Sequence, residues 1–255
     1  PENKRPVSVW LFSEQETAME RIALMVFKSL PKVPYWFYRI CRYGRMDDDH
    51  TEKERYDYLR KIVKKVNVSG RVEVKGYGIE NLPEEDGFVL FPNHQGLFDM
   101  LALIDTCSHP LSVVIKKEAA NIILVKQVLA LLRGLAMDRS DIRGSMQIIQ
   151  QITKEVKEGR NYVIFAEGTR SRQENELLPF KGGSFKSAVN AGCPIIPVAL
   201  INSFKPFDTK SIKREQVEVH YLKPIYPEEY KGKKTVEIAQ IVHDRIQEEI
   251  HKTIK

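Results

Sequence analysis

An α/β fold, with a mostly parallel or mixed sheet flanked by helices, is what this 255-residue sequence predicts, and three observations predict it. From Arg71 onward, short β-rich apolar runs alternate with stretches of helical period, as they do where strands are joined by crossover helices. The length sits at the top of the one-domain range, so one α/β domain with a small appendage is expected. Hydrophobic residues at 42% and charged residues at 29% are ordinary globular values, which excludes collagen-like, disordered and multi-span membrane classes.

The appendage, residues 1–67, comes first. Ser13 with Glu16 reads as a capping box opening a helix whose apolar residues run Met19, Ile22, Ala23, Leu24, Met25, Val26, Phe27 and Leu30, stopped by Pro31 and Pro34. Four consecutive aromatics follow, Tyr35, Trp36, Phe37 and Tyr38. A second amphipathic helix at about 51–66 places Tyr56, Leu59, Ile62, Val63 and Val66 on one face, with Lys61, Lys64 and Lys65 off it. The α/β domain, residues 68–255, then takes over. Its strand-like runs are Val72–Val74, Phe88–Phe91, Ser112–Ile115, Tyr162–Phe165, Ile195–Ile201 and Val217–Tyr221, and Gly134–Asp138 also reads as a strand end. Helix-like stretches lie near 97–106, 119–133, 143–158 and 184–191, and a final helix at about 234–254 carries Ile238, Ile241, Val242, Ile246 and Ile250 on one stripe.

Charge and cysteine usage narrow the function classes. There are 40 Lys+Arg against 34 Asp+Glu, a net charge of +6. The whole excess lies formally in residues 21–45, where Arg21, Lys28, Lys32, Arg39, Arg42 and Arg45 occur with no acid, before an acidic breaker at Asp47–Asp49. No helix-turn-helix or RNA-binding signature accompanies the basic balance, so nucleic acid is not an expected partner. Cys41, Cys107 and Cys193 are far apart with no CxxC pair, and His50, His109, His220, His243 and His251 lack ligand-spaced partners, so neither a disulfide framework nor a metal is expected. No run of about 18 apolar residues exists, so no bilayer-spanning helix is expected either.

Two constellations follow strands directly. Phe88–Phe91 ends at Pro92-Asn93, and His94 is the first ionisable group beyond it, the place where open α/β sheets form active sites. Asp99, five residues on, can accept a hydrogen bond from one ring nitrogen and leave the other facing a cleft. No Gly-x-Ser-x-Gly elbow and no nearby Cys supplies a nucleophile, so a base at His94 would act on a hydroxyl brought by the substrate. A His beside an Asp that merely caps a helix gives the same spacing. The second constellation is Glu167-Gly168-Thr169-Arg170-Ser171-Arg172 after Tyr162–Phe165, a phosphate cradle or else a solvated polar loop. Lys181-Gly182-Gly183-Ser184 then opens a helix. Lys116 and Arg139 also sit at strand ends, and parallel strands would put them on one rim with His94.

These blocks, in order over about residues 70–225, resemble the glycerolipid acyltransferases, most closely the bacterial 1-acyl-sn-glycerol-3-phosphate acyltransferases. The resemblance rests on Asn93, His94 and Asp99 as Asn-His-x-x-x-x-Asp, and on Glu167, Gly168, Thr169 and Arg170 as Glu-Gly-Thr-Arg. Lys116, Asp138-Arg139 and Pro194-Ile195-Ile196-Pro197-Val198 match the remaining blocks, while Gly96 and Ala166 stand where the family often has Ser and Pro. It implies His94 as general base, Asp99 as its orienting partner, and Arg170 with Lys116 as the grip on an acceptor phosphate. Glu167 and Thr169 would shape that site, with Arg139 in support. It further implies transfer of an acyl group from coenzyme A or acyl carrier protein, as co-substrate and with no cofactor, to the sn-2 hydroxyl of 1-acyl-glycerol-3-phosphate (lysophosphatidic acid). Another lysophospholipid acceptor, or a thioesterase using the same His-Asp pair, is the alternative. Such a substrate lives in membranes, so the basic aromatic segment is expected to dock on anionic lipid at the cytoplasmic face, peripherally or as a monotopic helix pair. The competing reading packs its apolar residues on the sheet.

Overall fold

The computed structural model describes residues 20–45, 49–138 and 140–254. Among the described residues, seven strands are β1 (Val72–Tyr77), β2 (Val89–Pro92), β3 (Leu111–Lys116), β4 (Leu135–Met137), β5 (Asn161–Val163), β6 (Ile195–Ile201) and β7 (Glu215–Tyr221). They form one sheet in the order β1-β7-β6-β2-β5-β3-β4. From β6 through β4 all neighbours are parallel; β7 runs antiparallel to β6, and β1 follows β7. The sheet is therefore mixed, and the carboxyl ends of five parallel strands share one rim.

Side-chain alternation explains the layering. On β2, Leu90 enters one core with Phe98, Leu103 and Val163, whereas Val89 and Phe91 enter another with Ile152, Phe185 and Val242. On β6, Ile196, Val198 and Leu200 join the first core and Ile195, Ala199 and Ile201 the second. A strand buried on both faces reads as a continuous apolar run, which is how these two announce themselves in the sequence. Helices α3 (Glu52–Ser69) and α4 (Asp99–Thr106) contribute to the first core, and α6 (Ile142–Lys157), α7 (Lys186–Ala191) and α8 (Thr235–Ile254) to the second. The face predicted for the 51–66 helix is the one α3 buries, with Tyr56, Leu59, Ile62 and Val63 inside and the three lysines exposed. The stretch predicted as one helix over 119–133 is broken instead: a 3-10 turn spans Ala119–Asn121, and α5 (Val125–Leu131) begins after Leu124, whose φ of 74° interrupts the helical path.

At the N-terminus, residues 20–29 form α1 and Val33–Tyr43 form α2, in whose first turn Pro34 lacks only an amide that would have no helical partner. The Ser13–Glu16 capping box lies outside the described residues. The aromatic quartet divides between the two readings: Trp36 packs against the core, while Tyr35, Phe37 and Tyr38 are exposed. The basic set divides too. Arg21 is 1% exposed and donates to the carbonyls of Gly70 (2.7 Å), Lys213 (2.9 Å) and Ser211 (2.6 Å), with Glu215 at 3.8 Å. It pins α1 to the β1–β7 edge and does not face solvent, so the count of six cations available to a lipid surface is corrected downward.

Candidate active site

The site is assembled by sheet order. β2 lies between β6 and β5, and the chain leaving each of these strands meets its neighbours at the carboxyl rim. Asn93 Nδ2 donates to the Leu200 carbonyl at 3.0 Å and its Oδ1 accepts from Leu200 N–H at 2.7 Å, extending the β2–β6 pairing past the strand end. His94 then turns outward. Its Nδ1 lies 2.7 Å from Asp99 Oδ2, its ring packs 4.2 Å from the Phe165 ring, and its side chain is 24% exposed. A proton on Nδ1 donated to the carboxylate leaves Nε2 with its lone pair toward the open side, the state in which an imidazole accepts a proton. Asp99 is 1% exposed and opens α4, where its carboxylate also accepts N–H bonds from Gln95 (2.8 Å) and Gly96 (3.1 Å). The plainer helix-cap reading thus describes half of what Asp99 does: it caps the turn and holds the imidazole together.

Glu167 locks the same turn from β5. Its carboxylate accepts from the backbone N–H of His94 at 2.7 Å and of Leu178 at 3.2 Å, and Ser171 N–H donates to the His94 carbonyl at 2.8 Å. Gly168 takes φ 79°, the left-handed region that favours glycine, and Thr169 is exposed. Arg170 Nη1 faces Asp208 Oδ1 at 3.8 Å, and a Cβ on Gly96 would come within 2.7 Å of Asp208 Oδ2. Arg170 is thereby brought beside the His94–Asp99 turn. Lys116, at the end of β3 and two strands from β2, is exposed with its ammonium 3.3 Å from Glu118. It shares the rim without any described contact to His94, Glu167 or Arg170. Arg139 lies outside the described residues. Burial pushes the thiols of Cys107 and Cys193 up to about 12, which makes them poor nucleophiles.

The acyltransferase family profile matches residues 72–201, a span that runs from β1 to the end of β6 and contains His94, Asp99 and Glu167–Arg170. This chain belongs to the acyltransferase family. The 1-acyl-sn-glycerol-3-phosphate acyltransferase of Salmonella typhimurium (strain LT2) is 32% identical over 152 residues, covering 59% of this chain and 62% of its own. That of Borreliella burgdorferi is 33% identical over 126 residues, covering 49% of this chain and 50% of its own. The chain therefore spans only half to about three-fifths of the length of these two relatives. An uncharacterised acyltransferase of Schizosaccharomyces pombe is 30% identical over 211 residues, 81% of this chain and 72% of its own. Among solved structures, the 1-acyl-sn-glycerophosphate acyltransferase of Thermotoga maritima matches with a TM-score of 0.74 at 19% identity, over 94% of this chain and 97% of that one, so the two share a fold.

Two buried polar residues of this family member escape a reading by motif. Gln95 is 1% exposed, and Ser203, just past β6, is fully buried; the Ser203 hydroxyl lies 2.5 Å from Asp99 Oδ1. Only the β2–β6 pairing brings them together, and no local spacing announces it.

Glu167 carries a testable pH signature. Burial pushes its carboxyl up to about 7, the two N–H donors pull it down, and the Asp99 charge adds to the rise. The folded state therefore holds a proton that the unfolded chain sheds near its ordinary value of 4.5. The stability this contributes is complete below that value and is lost as pH rises to about 7. Glu167→Gln cannot titrate and is expected to flatten that segment of the stability profile. Denaturant unfolding of both proteins between about pH 4.5 and 7 checks this, and parallel profiles would contradict it.

Proposed function

We propose that this acyltransferase moves an acyl group from a thioester of coenzyme A or acyl carrier protein to the sn-2 hydroxyl of 1-acyl-glycerol-3-phosphate, giving phosphatidic acid for phospholipid synthesis. The observation that carries the reading is the oriented His94, whose Nδ1 is held by a buried carboxylate, while burial leaves the Cys107 and Cys193 thiols poor nucleophiles. The acceptor is the one for which the bacterial relatives are named. In this mechanism His94 Nε2 removes the proton of the acceptor hydroxyl as its oxygen attacks the thioester carbonyl, and Asp99 stabilises the imidazolium. The tetrahedral intermediate collapses, the C–S bond breaks, and the thiolate leaves and takes a proton, which the imidazolium can return. Arg170 draws the acceptor phosphate to the rim, Lys116 extends that cationic edge, Glu167 with Thr169 shapes the turn beside it, and Arg139 is assigned a supporting role from the sequence motif alone.

The amphiphilic acceptor also gives the N-terminus a role. Phe27 is 76% exposed, Val26, Leu30, Tyr35 and Tyr38 are exposed beside it in sequence, and Lys28, Lys32 and Arg42 are exposed among them. Helix α2 packs on α5, and the residues leading into α5, Ile122, Ile123 and Leu124, are exposed as well. Among the described residues no helix is long and apolar enough to cross a membrane. Peripheral docking on anionic lipid fits this surface, with basic residues drawn to headgroups and aromatics seated at their level. The thioester donor favours the cytoplasmic face.

The test is a reconstituted assay with either thioester, with and without 1-acyl-glycerol-3-phosphate or other lysolipids, following thiol release and product mass. Thiol release that requires 1-acyl-glycerol-3-phosphate and yields the diacyl product is expected. Equal release without any acceptor identifies a hydrolase and overturns the reading.

A further inference from the structure

Asp99 has two carboxylate oxygens, and they face different parts of the protein. Oδ2 takes the imidazole and the Gln95 N–H, Oδ1 takes the Ser203 hydroxyl at 2.5 Å, and the Gly96 N–H lies 3.1 Å from both. The same hydroxyl lies 3.0 Å from Gln95 Oε1. A serine has one hydroxyl proton, so it can donate to only one of these acceptors at a time.

Which way Gln95 points is fixed by its neighbours. Its Nε2 donates to Asn175 Oδ1 at 2.8 Å, and that oxygen must be the acceptor because it also takes the Asn202 backbone N–H at 2.8 Å. Gln95 therefore presents Oε1 to Ser203, where it accepts the Ser203 N–H at 2.8 Å. With Oε1 already supplied, the hydroxyl proton goes to the carboxylate, the stronger and nearer acceptor. Gln95 Oε1 stays within reach as a second position for that proton.

We propose that Ser203 is a positioning residue for the acyl transfer: its hydroxyl fixes the rotation of the Asp99 carboxylate and sets how much negative charge the carboxylate presents to His94. The inference rests on the reading of His94 as the general base. While the imidazole is neutral, the hydroxyl shares the Asp99 charge. When the acceptor proton arrives on His94, the hydroxyl keeps the carboxylate turned with Oδ2 on Nδ1 as the charge pair forms. No bond to substrate is involved.

The other charged groups around His94 come from separate elements. They are Glu167, bonded to the His94 backbone N–H from the segment after β5, and the Arg170–Asp208 pair, with Asp208 in the short helix Lys205–Asp208 after β6. None of them is a hydrogen-bond partner of the Ser203 hydroxyl, so each is expected to stay in place when Ser203 is changed. Removing the hydroxyl leaves Asp99 with one donor fewer, so the carboxylate should favour the imidazolium more strongly.

Ser203→Ala is expected to raise the midpoint of the His94 ring titration, followed by NMR, by about half a pH unit. It should move the acid limb of the kcat profile in the same direction and lower kcat at its plateau about three- to tenfold, with KM for the acceptor within twofold. Ser203→Thr, which keeps the hydroxyl, should restore the titration midpoint even if its methyl group lowers the yield of folded protein. A folded Ser203→Ala with the wild-type ring titration and a merely scaled pH profile overturns the proposal. His94→Ala separates this failure from that of the broader reading: if His94→Ala retains acceptor-dependent transfer, the general-base assignment fails and the Ser203 proposal fails with it. If His94→Ala is inactive and Ser203→Ala is unshifted, only the Ser203 proposal falls.

Discussion

His94→Ala should lower turnover by roughly 10²–10⁴-fold, the usual contribution of a positioned general base, with circular dichroism and unfolding midpoint close to wild type. The imidazole is partly exposed and its ring is not part of either core, so its loss leaves no large cavity. Asp99→Asn is expected to cost about 10²-fold or more while keeping the imidazole in place. The amide oxygen can still accept from Nδ1, and the amide nitrogen can face the Ser203 hydroxyl, which turns its proton to Gln95 Oε1 and accepts instead. What Asn cannot supply is the charge that stabilises the imidazolium. Because the two residues act as one unit, the double variant should be no slower than His94→Ala alone. Steady-state kinetics with acceptor and thioester varied separately checks all three, and a purified His94→Ala with wild-type kcat would end the mechanism.

The contrast between Asp99 and Ser203 shows what kind of information the sequence carries. His94 and Asp99 are five residues apart across a strand-to-helix turn, so backbone geometry alone can bring them together, and the motif is legible. Strands β2 and β6 are legible for a similar reason, since burial on both faces leaves uninterrupted apolar runs. Ser203 stands 104 residues from Asp99, and its contact exists because β6 pairs with β2 in parallel. That order is set by how the helices cover the sheet, a long-range property that no local pattern encodes. Lys116 shows the converse. Its place after a strand is legible and correct, but β5 separates β3 from β2, so a shared rim does not amount to a shared contact. The break at Leu124 was hidden because apolar periodicity continues across 119–133 while the backbone does not.

Charge is where a count misleads most, and it yields the second large effect. Arg21 and Lys28 are equal in a tally of basic residues, yet one is buried against three carbonyls and the other is exposed. Desolvation lowers the Arg21 pKa from its ordinary value and Glu215 offsets part of that, the pattern of a cation serving as structural hydrogen-bond donor. Arg21→Met keeps the apolar stem but strips the donors from Gly70, Lys213 and Ser211, and is expected to cost about 2–4 kcal/mol of folding stability. Changing Lys28 and Lys32 together to Gln should move the unfolding free energy by less than about 0.5 kcal/mol. The same pair should weaken binding to anionic vesicles roughly thirtyfold at low salt, at about 1 kcal/mol per neutralised lysine, and the difference should shrink as salt is added. Denaturant unfolding and vesicle sedimentation on both variants separate the two roles. If Arg21→Met unfolds like wild type but releases vesicles, the buried guanidinium is not the pin described. If the lysine pair binds vesicles undiminished at low salt, α1 does not meet the membrane through its cations, and docking must then rest on the exposed apolar residues of α1, α2 and the turn before α5.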